Sequence, residues 1–297
     1  MKTMREVFVS TVQDAMRTDP RIAVVLAEIS RDVFAPHERV INVGIREQAL
    51  VGVGSGLALS GLRPVVHTYA PFLVERPFEQ IKLDFGHQDV GGLLVSIGAS
   101  YDAPVWGRTH QAPGDVALFD TLPGWTVVVP GHPDEVGPLV SDALSRDDRI
   151  YIRLSLRSNT RTVPVTPAAT RIRSGRRGVI VSVGTTLDTV LAATADLDVT
   201  VLYATTVRPF DAAGLRAAVS GVDHADVLLV EPYLEGTSAH EVTVALSDVP
   251  HRLRSLGVRR DAELRAYGTA DDHDAAHELD VVGIAAAAHR LFDHPVV

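Results

Sequence analysis

One acidic residue stands where a predicted strand gives way to a predicted helix. An apolar, extended segment begins at Ile41 and reaches Gly44, and Glu47 lies in the first turn of the helix that follows. Open α/β sheets bind ligands at the carboxyl ends of their strands, so an acid at this junction is a candidate site residue. The alternative is a glutamate that only complements the positive end of the helix dipole. The junction by itself leaves both interpretations open.

An aromatic segment follows the next predicted strand. Residues 69–78 read Tyr-Ala-Pro-Phe-Leu-Val-Glu-Arg-Pro-Phe, with aromatic rings at Tyr69, Phe72 and Phe78. A ring beside polar residues just after a strand can offer its face to a planar ligand. Ordinary core packing is the competing interpretation, and we favour it for Phe78.

A histidine lies in a long segment without clear periodicity, residues 98–113. Residues 107–111 of this segment read Gly-Arg-Thr-His-Gln, which places the imidazole of His110 in an irregular loop. A single loop histidine is commonly just solvated, but long loops inside compact domains are usually functional. The acid, the aromatic segment and this loop all follow strand ends of one predicted sheet, so they are expected to converge.

Other kinds of chemistry find little support in the sequence. Cysteine is absent, and there is no His-Glu-x-x-His, no Gly-x-Ser-x-Gly and no phosphate-binding P-loop. His273 and His277 are one helical turn apart beside aspartates at 271, 272 and 274. A surface metal site is conceivable there, but we expect a solvated acidic patch.

Composition indicates an ordinary globular protein of two domains. The 297 residues are 46% hydrophobic and 22% charged, and the formal net charge is −9. This charge argues against broad nucleic-acid binding, which requires basic surface. No stretch approaches the ~20 apolar residues that span a bilayer, and the first residues do not resemble a secretory signal. We therefore expect a cytoplasmic protein that binds no membrane.

Strand-like and helix-like segments alternate along the chain and predict the fold class. The alternation favours α/β architecture, with two doubly wound domains and mostly parallel sheets. A helix is predicted over 72–84, and residues 157–177 are rich in Ser, Thr, Pro and Arg, which is typical of a linker. We place the boundary near residue 165, giving domains 1–165 and 166–297.

Four motifs resemble those of the transketolase family. Residues 42–48, Asn-Val-Gly-Ile-Arg-Glu-Gln, resemble the family's Val-Gly-Ile-x-Glu-Gln motif, and residues 69–80 resemble its Ser-Thr-Phe aromatic segment. Residues 109–111 are similar to its Gly-x-Thr-His-Gln loop, and residues 206–211 to the Ile-Lys-Pro-Leu-Asp turn of its C-terminal domain. The four occur in the family's order and cover nearly the whole chain, as a pyrimidine-binding domain followed by a transketolase C-terminal-like domain.

The resemblance implies a thiamine-diphosphate enzyme and assigns roles to particular residues. Glu47 would hydrogen-bond N1′ of the aminopyrimidine and so help its 4′-imino nitrogen deprotonate the thiazolium C2. Phe72 would stack on the pyrimidine, and Tyr69 and Phe78 would line its pocket. His110 would contact substrate oxygens and move protons during addition to the carbonyl.

Two substrate-reading positions depart from the family pattern. The family's Gly-Glu-Asp-Gly-x-Thr-His-Gln is Pro-Val-Trp-Gly-Arg-Thr-His-Gln at residues 104–111, so Trp106 replaces an aspartate that reads a substrate hydroxyl. A family histidine upstream corresponds to Gly98 or Ala99. Trp106 would reshape a substrate pocket or pack at an interface. Arg157 resembles the arginine that holds a sugar phosphate, a role suited to its bidentate fork; a linker charge is the alternative.

The resemblance extends only to the second half of the family's chain. The family's diphosphate-binding domain carries a Gly-Asp-Gly…Asn motif for Mg²⁺, which these 297 residues do not contain. This implies a split transketolase with a separate N-terminal-half subunit that holds Mg²⁺, assembled as a dimer of heterodimers. It would transfer a two-carbon ketol unit from a ketose to an aldehyde acceptor.

Two alternatives stay open. One is the β subunit of a 2-oxoacid dehydrogenase E1 component, although Glu47-Gln48 and residues 109–111 favour the transketolase branch. The other is a non-catalytic partner chain, against which the retained Glu47, Phe72 and His110 argue.

Overall fold

Two mostly parallel β-sheets organise the chain, seen in a computed structural model that describes residues 2–293. The strands are β1 Ile22–Leu26, β2 Val40–Asn42, β3 Arg63–Tyr69, β4 Gly92–Ile97, β5 Trp125–Val128, β6 Arg149–Arg153, β7 Thr170–Arg173, β8 Val179–Val183, β9 Thr200–Ala204, β10 Thr206–Arg208, β11 Asp226–Leu234 and β12 Arg252–Val258. The α-helices are α1 Met4–Thr18, α2 Glu47–Leu59, α3 Phe78–Gln80, α4 Asp115–Phe119, α5 Pro133–Ser145, α6 Leu187–Ala193, α7 Ala212–Val219, α8 Ala239–Ala245, α9 Ala270–Ala276 and α10 Val281–Phe292.

The first sheet has seven strands in the order β10-β5-β6-β4-β3-β1-β2. All its neighbouring pairs are parallel except the edge pair β10 and β5. In the centre, Val25 of β1 is in register with Ile41 of β2 and Val66 of β3. Strands β1, β3 and β4 are buried along their whole length, as expected when helices cover both faces of a parallel sheet.

Helices on opposite faces give this sheet two separate cores. One core joins α1 and α5 to one face and includes Phe8, Val12 and Val140. The other joins α2 and the irregular helical segment after β3 to the opposite face, and includes Leu50, Val51 and Phe85. The doubly wound arrangement predicted for this half is therefore confirmed.

The start of the first helix is fixed by its sequence. The Thr3 hydroxyl accepts a hydrogen bond from the Glu6 backbone N–H, and the Glu6 carboxylate accepts one from the Thr3 backbone N–H. This reciprocal capping box satisfies donors that the first turn would otherwise leave unpaired.

The second sheet has five strands in the order β12-β11-β8-β9-β7. Only the edge pair β7 and β9 is antiparallel. Again there is a core on each face, one containing α6 and α10 and the other α7 and α8. The α/β class with two mostly parallel, doubly wound units is confirmed for both halves.

Three expectations from the sequence need correction. The helix expected over 72–84 is broken into π-helical turns, Pro71–Glu75 and Ile81–His87, around the short α3. The expected linker contains strand β7, which completes the edge of the second sheet. Finally, β10 falls in the motif that we assigned to the C-terminal domain, yet it pairs with β5 of the first sheet.

The domain limits 1–165 and 166–297 stay a prediction, and this crossing strand shows that the two units are interlocked. In the described range 2–293, no helix has both the length and the apolar character needed to cross a membrane.

Candidate active site

Glu47 is the first residue of α2 and is almost completely buried, with 2% of its surface exposed. The turn that positions Glu47 is formed by residues of the same short segment. Gly44 has a φ of +71°, a conformation that glycine adopts without strain. The side-chain oxygen of Asn42, at the end of β2, accepts a hydrogen bond from the Gly44 N–H. A carboxyl held this far from water requires a partner.

Arg76 supplies that partner. Its Nη1 lies 2.7 Å from Oε1 of Glu47, and its Cζ lies 4.2 Å from the centroid of the Phe72 ring. One guanidinium therefore joins the candidate catalytic acid to the candidate stacking ring. The sequence motifs did not point to this residue. The sequence feature that could have indicated Arg76 is a basic residue four positions after Phe72, a spacing that places two side chains on one helical face.

Four aromatic side chains form a cluster beside this pair. The Phe72 ring centroid lies 5.1 Å from that of His110, and Tyr69 lies 6.2 Å from Phe72 and 5.7 Å from His110. Trp106 contacts both Tyr69, at 5.6 Å, and His110, at 5.0 Å. Most of these pairs are edge-on, an arrangement that aromatic quadrupoles favour. The segments predicted to converge are thus brought together.

His110 is only partly buried, and its surroundings favour the neutral imidazole. Burial lowers its pKa below the usual 6.5, and the positive charge of Arg76 acts in the same direction. The Thr109 hydroxyl lies 3.2 Å from the Trp106 carbonyl and 3.0 Å from His110 Nδ1. When that hydroxyl donates to the carbonyl it accepts from Nδ1–H, which leaves the lone pair on Nε2 as a proton acceptor.

The packing of Tyr69 accounts for one departure from the family pattern. Gly98 has a φ of +72°, and a Cβ added there would lie 2.3 Å from Cδ1 of Tyr69. A side chain at this position would overlap the tyrosine ring. The next residue, Ala99, is buried and apolar. The site therefore has no polar side chain at either position that corresponds to the family histidine.

Phe78 and Trp106 lie in contrasting surroundings. Phe78 packs partly buried against the second core of the first sheet, in line with the core-packing alternative. Trp106 is 50% exposed, and Val105 beside it is 68% exposed. An indole this open at the edge of the aromatic cluster is available to a substrate or to another chain.

Arg157 lies between the two halves of the chain, and its guanidinium is engaged. Its Nη1 and Nη2 donate to Oδ1 and Oδ2 of Asp274 at 2.8 and 2.6 Å. This bidentate pair raises the pKa of Arg157 above its usual range. A phosphate would have to compete with Asp274 for both nitrogens, so the proposed phosphate-binding role stays a prediction.

The expectation of a solvated acidic patch around His273 is wrong for three residues. His273, Asp274 and His277 are all buried, and only the neighbouring aspartates 271 and 272 are exposed. The Tyr101 ring stacks on both imidazoles, with centroids 5.0 and 5.5 Å away, and its hydroxyl donates to Asp274. Within residues 2–293 no group of three or more histidine, aspartate or glutamate side chains could hold a metal ion.

Comparisons with known proteins place the chain in a family. A family model described as "Transketolase, pyrimidine binding domain" matches residues 1–162. A Rhodococcoides fascians protein described as "Uncharacterized 33.6 kDa protein in fasciation locus" is 56% identical over 92% of this chain and 89% of its own length. An Actinobacillus succinogenes protein, described as one subunit of an apulose-4-phosphate transketolase, is 30% identical over 73% of each chain. The chain therefore belongs to the transketolase family.

Within that family it corresponds to the C-terminal half. The "1-deoxy-D-xylulose-5-phosphate synthase" of Thioalkalivibrio sulfidiphilus is 30% identical over 98% of this chain, but the match spans only 47% of that longer protein. A solved structure described as "Split gene transketolase, inactive beta4 tetramer" has the same fold, with a TM-score of 0.85, 99% coverage of both chains and 23% identity.

Proposed function

We propose that this chain is the pyrimidine-binding half of a two-chain, thiamine-diphosphate-dependent enzyme that transfers a two-carbon ketol unit from a ketose to an aldehyde. The observation that carries the proposal is the buried Glu47 carboxyl, joined through Arg76 to the Phe72 ring, with His110 against the same ring. An acid, a stacking ring and a neutral imidazole are the groups that this chemistry asks of the pyrimidine side.

The residues present fit the pyrimidine end of the cofactor. The guanidinium of Arg76, a flat group, already donates to the Glu47 carboxylate and lies over the Phe72 ring. An aminopyrimidine would use the same two groups, with its ring nitrogen N1′ accepting the proton that Glu47 shares and its face stacking on Phe72. Tyr69 would support Phe72 through its edge-on contact, whereas Phe78 would act only through its packing against the second core of the first sheet.

Each side chain would contribute a distinct physical effect. Thiamine diphosphate, when bound, supplies the carbon nucleophile that adds to a carbonyl. Glu47 would share a proton with N1′ of the aminopyrimidine. His110 would accept or return a proton at substrate oxygens through Nε2, because its lowered pKa keeps the ring neutral near pH 7. Trp106 would cover the substrate at the position where the family has an aspartate that contacts a substrate hydroxyl.

The diphosphate and Mg²⁺ would be held by a separate partner chain. One observation supports this: the relative from Actinobacillus succinogenes is described as one subunit of its enzyme. Domain 1–165 would bind the pyrimidine, and domain 166–297 would build the assembly as a dimer of heterodimers. Exposed apolar side chains near the site, at Ile45, Val105 and Leu156, would suit a covering partner.

The test is reconstitution with a family chain that carries the diphosphate-binding motif. We expect ketol transfer from a ketose phosphate only in the mixture, and a rate loss of at least about a hundredfold for Glu47→Gln, the scale of acid–base contributions. Glu79→Gln, an exposed glutamate of α3, is the matched control and should keep the wild-type rate.

Donor choice separates the alternatives in the same experiment. Turnover of 2-oxoacids with a lipoyl acceptor, and none of ketoses, would identify the β chain of an E1 component instead. An active mixture that is indifferent to Glu47→Gln would refute a catalytic role and identify a scaffold.

A further inference from the structure

The Arg76 guanidinium occupies the two contacts that a pyrimidine would need. It donates to Glu47 Oε1 at 2.7 Å and covers the Phe72 ring at 4.2 Å. A guanidinium is planar, carries N–H donors along its edge and stacks on aromatic faces. An aminopyrimidine is also planar: its ring nitrogen would accept a hydrogen bond from the same acid in its protonated form, and its face would cover the same ring.

From this coincidence we infer that Arg76 is an internal stand-in for the aminopyrimidine, which holds the site closed in the free chain and is displaced when the cofactor binds. The inference rests on the proposed function, because that proposal identifies the ligand. It goes further by proposing that Arg76 of this chain competes with the aminopyrimidine. Binding of the cofactor is then an exchange of partners on Glu47 and Phe72.

The energetics of the buried carboxyl explain why a stand-in is needed. The Glu47 side chain is 3% exposed, and an unpaired charge at such depth is strongly destabilising. Arg76 supplies the pairing as long as no ligand does. When a pyrimidine replaces Arg76, Glu47 takes up a proton from solvent and shares it with the ring nitrogen, so no unpaired charge remains and the salt bridge is no longer required.

The surroundings of Arg76 allow it to leave. Its side chain is 39% exposed, in contrast to Glu47, so its charge has a path to water. It follows directly on the π-helical turn Pro71–Glu75, and its carbonyl is held by the Gln48 side chain at 3.3 Å. The backbone can therefore stay in place while the side chain swings outward. Its departure also removes a positive charge that lowers the pKa of His110.

Nuclear magnetic resonance on the full chain tests the exchange directly. In the free protein, the side-chain resonances of Arg76 should carry a ring-current shift from Phe72; they are assigned by their absence in Arg76→Lys, and Phe72→Leu should abolish the shift. Adding 4-amino-5-hydroxymethyl-2-methylpyrimidine should move these resonances to the positions of a solvated arginine. A pyrimidine that binds while Arg76 keeps its shifted resonances overturns the inference.

Affinity supplies the second test. The same pyrimidine should bind Arg76→Ala about tenfold more tightly than wild type, as for a site whose competent state is otherwise populated only about a tenth of the time. Millimolar guanidinium should compete with it in Arg76→Ala but not in wild type. Arg17→Ala, which removes an exposed arginine of α1, is the matched control and should bind like wild type.

Equal affinities of wild type and Arg76→Ala for the pyrimidine, weaker binding to Arg76→Ala, or no binding to either form would each overturn the inference that Arg76 competes with the pyrimidine. If Arg76→Ala does not fold, the resonance experiment on wild type decides alone. Loss of the stand-in leaves the proposed function intact when Glu47→Gln abolishes ketol transfer in the mixture. Conversely, a confirmed exchange without any ketol transfer refutes only the proposed function.

Discussion

At the scale of single residues, the site combines a buried acid with a neutral base. Glu47 is held at the start of a helix with a cation as its partner, and His110 is held in a loop against aromatic edges. The sequence identified both residues through their motifs. It did not identify Arg76, because only the folded turn brings the guanidinium over Phe72.

The protonation state of His110 depends on burial and on Arg76. In the free chain both lower its pKa below 6.5, and burial alone acts once Arg76 has left, so ketol transfer should fall as the pH drops below 6.5. Arg76→Gln removes the charge contribution, and the His110 pKa should rise toward its ordinary value. A titration of the His110 ring protons by nuclear magnetic resonance measures the change. A fall in pKa in Arg76→Gln would contradict this account.

At the scale of elements, a buried histidine links the strand that precedes the aromatic segment to the neighbouring strand that precedes the His110 loop. His67 lies in β3, two residues before Tyr69, and is completely buried. Its Nδ1 pairs with the Val95 carbonyl of β4 at 2.8 Å, and its Nε2 with the Ser30 hydroxyl at 3.0 Å. Both partners suit a neutral ring, and burial lowers the pKa of His67 to about 4.

This histidine should make the fold sensitive to acid. In the unfolded chain His67 takes up a proton near pH 6.5, whereas in the folded chain it does so only near pH 4. Stability should therefore fall as pH drops through this window, by up to roughly 3 kcal/mol if no other group compensates. His67→Asn keeps a hydrogen-bond donor for the Val95 carbonyl. It should reduce the loss of unfolding free energy between pH 7 and pH 5, measured by urea unfolding. His87→Asn, at an exposed histidine, should show the same loss as wild type, and a wild-type loss in His67→Asn would contradict the prediction.

At the scale of the whole molecule, a buried ionic network joins the two sheets. Asp115 and Arg153 are paired at 2.7 Å with almost no exposure, and the Tyr151 hydroxyl donates to the same carboxylate. Arg153 also donates to the Ser100 hydroxyl, which in turn donates to the Pro232 carbonyl in β11 of the second sheet. The network ties the loop after β4, which leads to His110, to both halves of the chain.

Breaking this network should cost far more than breaking a surface pair. Asp115→Asn leaves the Arg153 charge buried without its counter-ion, so the free energy of unfolding should fall by about 3–5 kcal/mol. Asp89→Asn removes an ion pair with Arg149 in which the aspartate is largely exposed, and it should cost at most about 0.5 kcal/mol. Equal losses for the two variants in chemical denaturation would show that burial does not govern the network.

Local sequence patterns were enough for the fold class, the capping of the first helix and the residues that meet at the strand ends. These features follow from local pattern, because periodicity, caps and turn residues act over a few positions. The partners of those residues, in contrast, depend on contacts between segments that are distant in the sequence. Arg76 on Glu47, Asp274 on Arg157, the ring of Tyr69 against Gly98 and the passage of β10 into the first sheet depend on which segments lie side by side. The burial of His273 and His277 also depends on tertiary packing, because the segments packed against a helix determine which of its faces is exposed to solvent.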